Sequence, residues 1–431
     1  MGVNDTGNES ELTSSTSKMN LEMLQKIFLK IEPDVIIDSY EESKGADRGD
    51  NYTAALFRLT LKGHTPSSDG SKKLRWEKTV ICKRLPDCKV KREAFKSETL
   101  FRNEVEFYNT IMPEFLAFQK RKSGSGNASE IFTAVPQCYL AQDDLVILED
   151  LRVRRFSMPN RQRGLGMEQM KVTLVELAKY HAVSLAYREQ HPTEFKKLIS
   201  KISEGIFAKA NTEWYKNYYG ILTKNAIQMV TQTVPGKAEY ADKLKAFVKN
   251  FFGNMVDLVN KDTKLSVICH GDCWTNNILY KYDDKGSICE TYFVDFQMIR
   301  YGSFALDLSY MIYCCTDASL RKTNLQNWLK IYHQQLVKSL KLLGSLEDLC
   351  TDEEDLLQQI KDEFKECARF GLGTAMDMLP ISTCSSEEAP DLYVSASEGV
   401  PAPPELNVPT NEDCRRKMTD IVMELVDGEM L

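Results

Sequence analysis

The sequence predicts an α+β chain of two unequal lobes, a smaller strand-rich one followed by a larger helical one. Three observations carry this. Up to about residue 150, short runs of alternating apolar and polar side chains are separated by clusters of turn-forming residues. Beyond Leu151 the apolar residues recur at helical spacing instead. The length, 431 residues, is ample for two such bodies, each with its own core.

In order along the chain, residues 1–18 are polar and poor in aromatics, which predicts a disordered tail. The strand-rich lobe then occupies 19–150 and the helical lobe 151–431. Leu21, Leu24, Ile27, Phe28 and Ile31 form one face of a short helix. In "GADRGDNYTAALFRLTLKG" turn residues lead into alternation, and "LRWEKTVICKRLP" supplies a second strand beyond the hairpin loop "HTPSSDGSKK". Phe101, Glu104, Val105, Tyr108, Ile111 and Met112 place a helix over Ser97 to Phe115. "FTAVPQCYLAQDDLVILEDL" reads as two strands turning at Asp143-Asp144, and a connector follows near 149–155. A buried helix runs from Met167 to Tyr187, with helical stretches at about 193–231, 236–260 and 304–343. Short strands interrupt them around Asn277–Tyr280 and Thr291–Asp295. A segment rich in Pro, Ser and Glu, "CSSEEAPDLYVSASEGVPAPPELNVPT", predicts a surface loop before a last helix near Asn411 to Val426.

Composition narrows the function classes. A net charge of -7 disfavours a nucleic-acid partner. No apolar run approaches the ~18 residues of a membrane span. The 12 cysteines include no C-x-x-C pair, so a structural zinc site is not expected, and reduced thiols in the cytoplasm are the simplest reading. The first residues lack the basic and apolar regions of a secretory signal. Met1-Gly2 with Thr6 fits the myristoylation pattern, but no basic cluster follows to supply a second membrane signal.

The chemistry concentrates in "ICHGDCWTNNILY", Ile268 to Tyr280. Asp272 stands five residues before Asn277, and Asp295 closes the apolar strand of "TYFVDFQ". Phosphoryl transfer needs such a set: one carboxylate to orient the hydroxyl and accept its proton, and an amide with a second carboxylate to hold Mg²⁺ on nucleotide phosphates. Upstream, Lys83 lies inside the apolar strand "VICKRL", and Glu104 lies in the helix of "FRNEVEFY". A strand lysine paired with a helix glutamate steadies the phosphates of ATP in kinases. Blander readings exist for each piece. Asp272 and Asn277 could cap a turn, Lys83 could extend to solvent from an edge strand, and His181 sits on an apolar face where a satisfied core histidine is usual. His270 is expected to bond the loop backbone, because Asp272 already fills the role of base.

"HGDCWTNNILY" with "VDFQ" resembles the ecdysteroid kinase-like family, relatives of choline kinases and aminoglycoside phosphotransferases found mainly in insects. "GADRGDNYTAALFR", "VICKRLP", "FRNEVEFY", "LVILEDL", "LAKYHAVSLA" and "FALDLSYMIY" extend the resemblance from about residue 45 to 315. It implies a bilobal protein-kinase-like fold and ATP- and Mg²⁺-dependent phosphorylation of a small alcohol, an ecdysteroid first. By that resemblance Asp272 is the catalytic base, Asn277 and Asp295 are metal ligands, and Lys83 and Glu104 are the ion pair at the phosphates. Glu149 to Leu151 form the hinge that meets adenine through its backbone, and Asp307 props the catalytic loop. The phosphate loop would be "GADRGDNYT", with Gly45 and Gly49 at its turns and Asn51 and Thr53 over the phosphates.

The chain also departs from protein kinases. Gly271 replaces the arginine before the base, Asp295-Phe296-Gln297 replaces Asp-Phe-Gly, and no A-P-E segment follows at kinase distance. A protein substrate is therefore not expected. Aromatics in the helical lobe (Phe207, Trp214, Tyr215, Tyr218, Tyr219, Tyr310 and Tyr313) could line a steroid pocket or simply fill the core. Choline, ethanolamine or a xenobiotic alcohol are alternative acceptors. A pseudokinase that binds without transfer is a further class, and the presence of Lys83, Asp272, Asn277 and Asp295 ranks it below the enzyme. Oligomeric state is not legible from the sequence.

Overall fold

The computed structural model describes residues 19–45, 55–68, 70–86, 89–94, 96–123, 130–385, 387 and 410–431. The expected tail at 1–18, the phosphate-loop residues Gly49, Asn51 and Thr53, and most of the segment rich in Pro, Ser and Glu lie outside the described residues.

Ten strands and fourteen helices are found among the described residues. The first part of the chain holds α1 (Leu21–Leu29), β1 (Ile36–Lys44), β2 (Ala55–Pro66), β3 (Lys73–Arg84), α2 (Lys89–Ala94), α3 (Ser97–Glu106), α4 (Met112–Ser123), β4 (Cys138–Gln142) and β5 (Leu145–Glu149). Its strands make one sheet in the order β1-β2-β3-β5-β4. Next come β6 (Phe156–Ser157), α5 (Met167–Gln190), α6 (Pro192–Ile199), α7 (Thr212–Thr233), α8 (Ala238–Val248) and α9 (Phe251–Val259). Then follow β7 (Ser266–Cys269), β8 (Ile278–Tyr282), β9 (Ile288–Phe293), β10 (Arg300–Ser303), α10 (Phe304–Cys315) and α11 (Ala318–Leu343), with α12 (Leu346–Leu349), α13 (Glu353–Thr383) and α14 (Glu412–Asp427) at the end. The expected α+β class, sheet first and helices after, is what the chain adopts. Among the described residues no helix is long and apolar enough to cross a membrane.

Contacts divide the chain into two units, one of Met1–Glu41 with Thr60–Lys78 and one of Glu42–Leu59 with Thr79–Leu431. In the first, Asn20 caps α1 by accepting the Met23 N–H at 2.9 Å, which satisfies one of the orphan donors of a helix start. Gln25 bridges to the backbone of Val35 and Ile37, both at 2.7 Å, and Glu32 accepts from the Trp76 indole at 2.6 Å.

The second unit carries the large core and all the residues that concern function. β3 pairs antiparallel with β5, Lys83 opposite Val146, so the lysine is held in the middle of a sheet. α3 and α4 are joined by a π-helical turn at Phe107–Ile111, which re-phases the helix and lets Phe107, Tyr108, Ile111 and Met112 all be buried. Several long helical stretches read from the sequence are each two helices, broken at Asn250 and at Thr316–Asp317 for example. Helix α13 has no counterpart in the sequence reading. Gly371, Gly373 and Pro380 weaken its local signal, but close packing on α10 overrides propensity. A Cβ on Gly371 would come within 2.5 Å of the Ser309 carbonyl oxygen, so glycine is what allows the two helices to approach.

Candidate active site

The loop after β7 is built from its surroundings inward. β10 pairs with β7, Arg300 opposite Cys269, and leads directly into α10, whose start is capped by the Ser303 hydroxyl. This puts Asp307, in the first turn of α10, directly behind the loop. Its carboxylate accepts the backbone N–H of His270 at 2.7 Å and of Gly271 at 2.8 Å, and faces His181 Nε2 at 3.1 Å. Since Nε2 faces a carboxylate, it carries the hydrogen, and Nδ1 accepts from the Tyr332 hydroxyl at 2.9 Å. Burial alone would raise the Asp307 carboxyl. The His181 contact and the backbone donors outweigh it and hold the group below its ordinary range. His181 is thus a buried structural histidine that braces Asp307.

Gly271 explains the missing arginine. Its φ is +84, a conformation that strains any L side chain, and a Cβ there would fall 1.9 Å from the Met298 carbonyl oxygen. His270 has both ring nitrogens occupied: Nδ1 accepts the Asp272 N–H at 3.2 Å, and Nε2 donates to the Val294 carbonyl at 3.1 Å. Burial pushes its pKa down, which suits this neutral tautomer. It organises the loop and has no lone pair left for a substrate.

Asp272 keeps some exposure, and both of its oxygens are aimed. The Tyr310 hydroxyl donates to Oδ1 at 2.7 Å, and Asn277 Nδ2 donates to Oδ2 at 2.9 Å and to the Asp272 carbonyl at 3.0 Å. The five-residue spacing works because the short turn Thr275–Asn277 folds the amide back onto the base. Burial, then the nearby Asp295 charge, push the Asp272 carboxyl up to about 7, while Tyr310 and Asn277 pull the other way. A carboxylate in that range is well matched to taking a proton near neutral pH.

Asp295 sits beyond β9 with φ 66 and ψ 66, a left-handed backbone that is costly outside glycine. Phe296 locks that turn by stacking on Phe107 at 3.7 Å between ring centres. The result aims Asp295 at Lys83, whose ammonium lies 2.6 Å from Asp295 Oδ1 and 2.6 Å from Glu104 Oε2. Burial would lower the lysine pKa. The two carboxylates overcome it and raise the pKa, so Lys83 stays charged, whereas burial keeps the Glu104 carboxyl above its usual range. Gln297, in the place where protein kinases have glycine, accepts from Lys83 at 3.2 Å, and its carbonyl accepts from Asn103 at 3.1 Å.

Lys83, Glu104, Asn277 and Asp295 border a cavity of about 350 Å³, the lower end of the range for small-molecule sites, and Asp272 stands behind Asn277. Leu56, Ile81, Leu148, Leu151 and Leu279 supply an apolar lining, and Lys83, Glu104, Asn277 and Asp295 supply the polar one. Gly45 and Glu149 border it as well. The Glu149 carboxylate is occupied by the Gln137 N–H at 3.2 Å and Arg154 at 3.4 Å, and its own backbone N–H donates to the Gln137 carbonyl at 2.8 Å. Asp150 is buried between Arg58 at 2.6 Å and Arg152 at 3.1 Å, which ties the connector to the sheet. Among the described residues no three His, Cys, Asp or Glu side chains cluster as a closed metal cage. Asn277, whose amide nitrogen faces Asp272, and Asp295 offer hard oxygen donors next to a second carboxylate that already feels too much negative charge. That donor set fits Mg²⁺, which keeps waters and phosphate oxygens as its other ligands.

The structure therefore brings Lys83, Glu104, Asp272, Asn277 and Asp295 to one place. The sequence reading missed Gln297, Asn103 and, as a partner of the base, Tyr310. Only the departure at Gln297 offered a signal. The aromatics divide: Tyr313 is fully buried against Phe364, Tyr310 touches the base, and Phe207, Tyr215 and Tyr219 pack with Phe252.

A model of the ecdysteroid kinase-like family matches residues 48–345. No curated protein matches the chain. Among solved structures, the chain is similar to an ethanolamine kinase of Plasmodium vivax, with 12% identity and a TM-score of 0.41 over 91% of this chain and 85% of that one. It is also similar to APH(2")-IIa in its ternary complex with streptomycin and ATP, with 14% identity and a TM-score of 0.29 over 83% of this chain and 99% of that one.

Proposed function

The chain belongs to the ecdysteroid kinase-like family, a family of small-molecule kinases, and from that premise we propose that it transfers the terminal phosphoryl group of ATP to a hydroxyl of a small molecule, an ecdysteroid in the first instance. The observation that carries this reading is a doubly aimed carboxylate, Asp272, bonded to Asn277, which lines one cavity together with the Lys83–Glu104–Asp295 cluster. In the reaction Asp272 orients the acceptor hydroxyl and takes its proton as the new O–P bond forms. Lys83, held charged by its two carboxylates, faces the phosphates and offsets charge that builds up on them. Asn277 and Asp295 would hold Mg²⁺. When bound, that ion neutralises phosphate charge and relieves the repulsion between Asp295 and Asp272. The adenine ring fits the apolar lining near Leu56, Leu148 and Leu151, with the backbone of Glu149 to Leu151 along its edge.

All eleven described cysteines are free thiols, which suits a reducing compartment and supports a cytoplasmic enzyme. The test is transfer of labelled γ-phosphate from Mg-ATP to ecdysone, 20-hydroxyecdysone, choline and ethanolamine, with Asp272→Asn as the blank. A phosphorylated ecdysteroid that disappears in the variant is the expected result. Full turnover in Asp272→Asn would reject the base, and a protein that binds ATP but phosphorylates none of the four would move the reading to a pseudokinase or another alcohol.

A further inference from the structure

One half-buried carboxylate takes no part in this chemistry. Asp377, on α13, accepts a hydrogen bond from the Tyr218 hydroxyl at 2.5 Å, and among the described residues no cation pairs with it. Its side chain keeps some exposure. A line of residues connects it to the base. Tyr310, bonded to Asp272, is one turn from Cys314 on α10. The Cys314 sulfur lies 3.5 Å from the Thr374 hydroxyl on α13, and Asp377 follows Thr374 by three residues.

Residual exposure picks out the same line. Tyr310, Cys314 and Thr374 are 6%, 8% and 7% exposed, whereas Met311, Ile312, Tyr313, Leu372 and Ala375 beside them are at 0%. The least buried side chains of this stretch therefore form a line from one carboxylate to the other. The Cys314 thiol, pushed up to about 12 chiefly by burial, also feels both Asp272 and Asp377. Helix rise gives about 6 Å from Tyr310 to Cys314 and about 4.5 Å from Thr374 to Asp377, so the path through these residues is on the order of 15 Å long. Rings of Tyr215 and Tyr218 stand at the far end, 6.2 Å apart.

Resting on the kinase reading above, we propose that Asp377 anchors the far end of the acceptor: an elongated, largely apolar molecule that offers one hydroxyl to Asp272 and a second hydrogen-bond donor to Asp377. An ionised carboxylate can only accept, so it selects a donor, and a donor presented to a half-buried carboxylate gives a charge-assisted bond. A polyhydroxylated steroid meets both demands. A two-carbon amino alcohol is too short to reach both ends.

The test is binding, read by titration calorimetry with 20-hydroxyecdysone as the probe and ethanolamine as the short control. Asp377→Asn should weaken 20-hydroxyecdysone at least tenfold and leave the KM for ATP within twofold. Thr374→Leu, which adds bulk to this line, should weaken the steroid in the same way and serves if the first variant fails to fold. Wild-type protein that does not bind the steroid, or variants that bind it unchanged, overturns the anchor. Steroid binding that is lost in Asp377→Asn without any phosphate transfer by wild type keeps the anchor and rejects the kinase reading. Transfer to the steroid with an unchanged KM in Asp377→Asn does the reverse. Selective loss of ethanolamine rather than steroid overturns the proposed acceptor class.

Discussion

Replacing Asp307 with alanine should cost about 4 kcal/mol of folding stability and most of the turnover. The carboxylate is 1% exposed and is the acceptor for two backbone donors, His270 N–H at 2.7 Å and Gly271 N–H at 2.8 Å, as well as His181 Nε2 at 3.1 Å. Truncation leaves these donors buried without a partner, each at about 1–3 kcal/mol. The three share one acceptor and will not add fully, hence about 4 rather than the upper sum. Against a total stability of about 5–15 kcal/mol this is a large loss, read directly from urea unfolding curves. The sign with pH is also set. Because the folded carboxyl is held below its ordinary value, its contribution is fully present above the unfolded pKa of about 3.9 and is lost as pH falls through the depressed folded value. The gap between wild type and Asp307→Ala should be constant from pH 8 to 5 and shrink below about pH 4. A gap under about 1 kcal/mol, or one that does not shrink in acid, would refute the view that this carboxylate holds the catalytic loop.

The other expectations concern the chemistry more directly. Lys83→Met should lower kcat by roughly 100- to 1000-fold, the effect of losing about 3–4 kcal/mol of transition-state electrostatics, and a kcat within a few-fold of wild type would rule that role out. Asp295→Ala should remove the Mg²⁺-dependent part of ATP affinity, checked by titration with and without the metal. Equal gains from Mg²⁺ in both proteins would sink the ligand assignment. Gly271→Ala should lose at least about 1–2 kcal/mol from its left-handed backbone, and more from its clash with the Met298 carbonyl. A melting temperature and kcat equal to wild type would show that the loop tolerates a side chain there.

Much of the site was legible because its residues lie at short, fixed offsets on elements with clear periodicity. Asp272 and Asn277 share one loop, and Asp295 ends a strand that pairs with the strand leaving that loop. Lys83 stood out as a charge in an apolar strand. The partners that aim these groups left no such trace. Tyr310 sits within an almost wholly buried helix where nothing in the local text separates a functional side chain from a core one, and Asp307 in the same helix was reached only through the family resemblance. Helix α13 was hidden by its own glycines and proline, whose value appears only when α10 is laid against them. Gly49, Asn51 and Thr53, expected over the phosphates, lie outside the described residues.

By itself the sequence determined the α+β class, the identity of the charged groups and their order along the chain, because alternation, helical period and residue chemistry are local properties. Only the tertiary structure decided which of those charges meet. Lys83 is 212 residues from Asp295, and their 2.6 Å contact depends on a π turn, a Phe107–Phe296 stack and a left-handed backbone acting together. Asp377 becomes a candidate anchor for the same reason: its line to Asp272 crosses from α10 to α13 through Cys314 and Thr374, and packing between distant segments is set by the whole core rather than by any stretch of sequence.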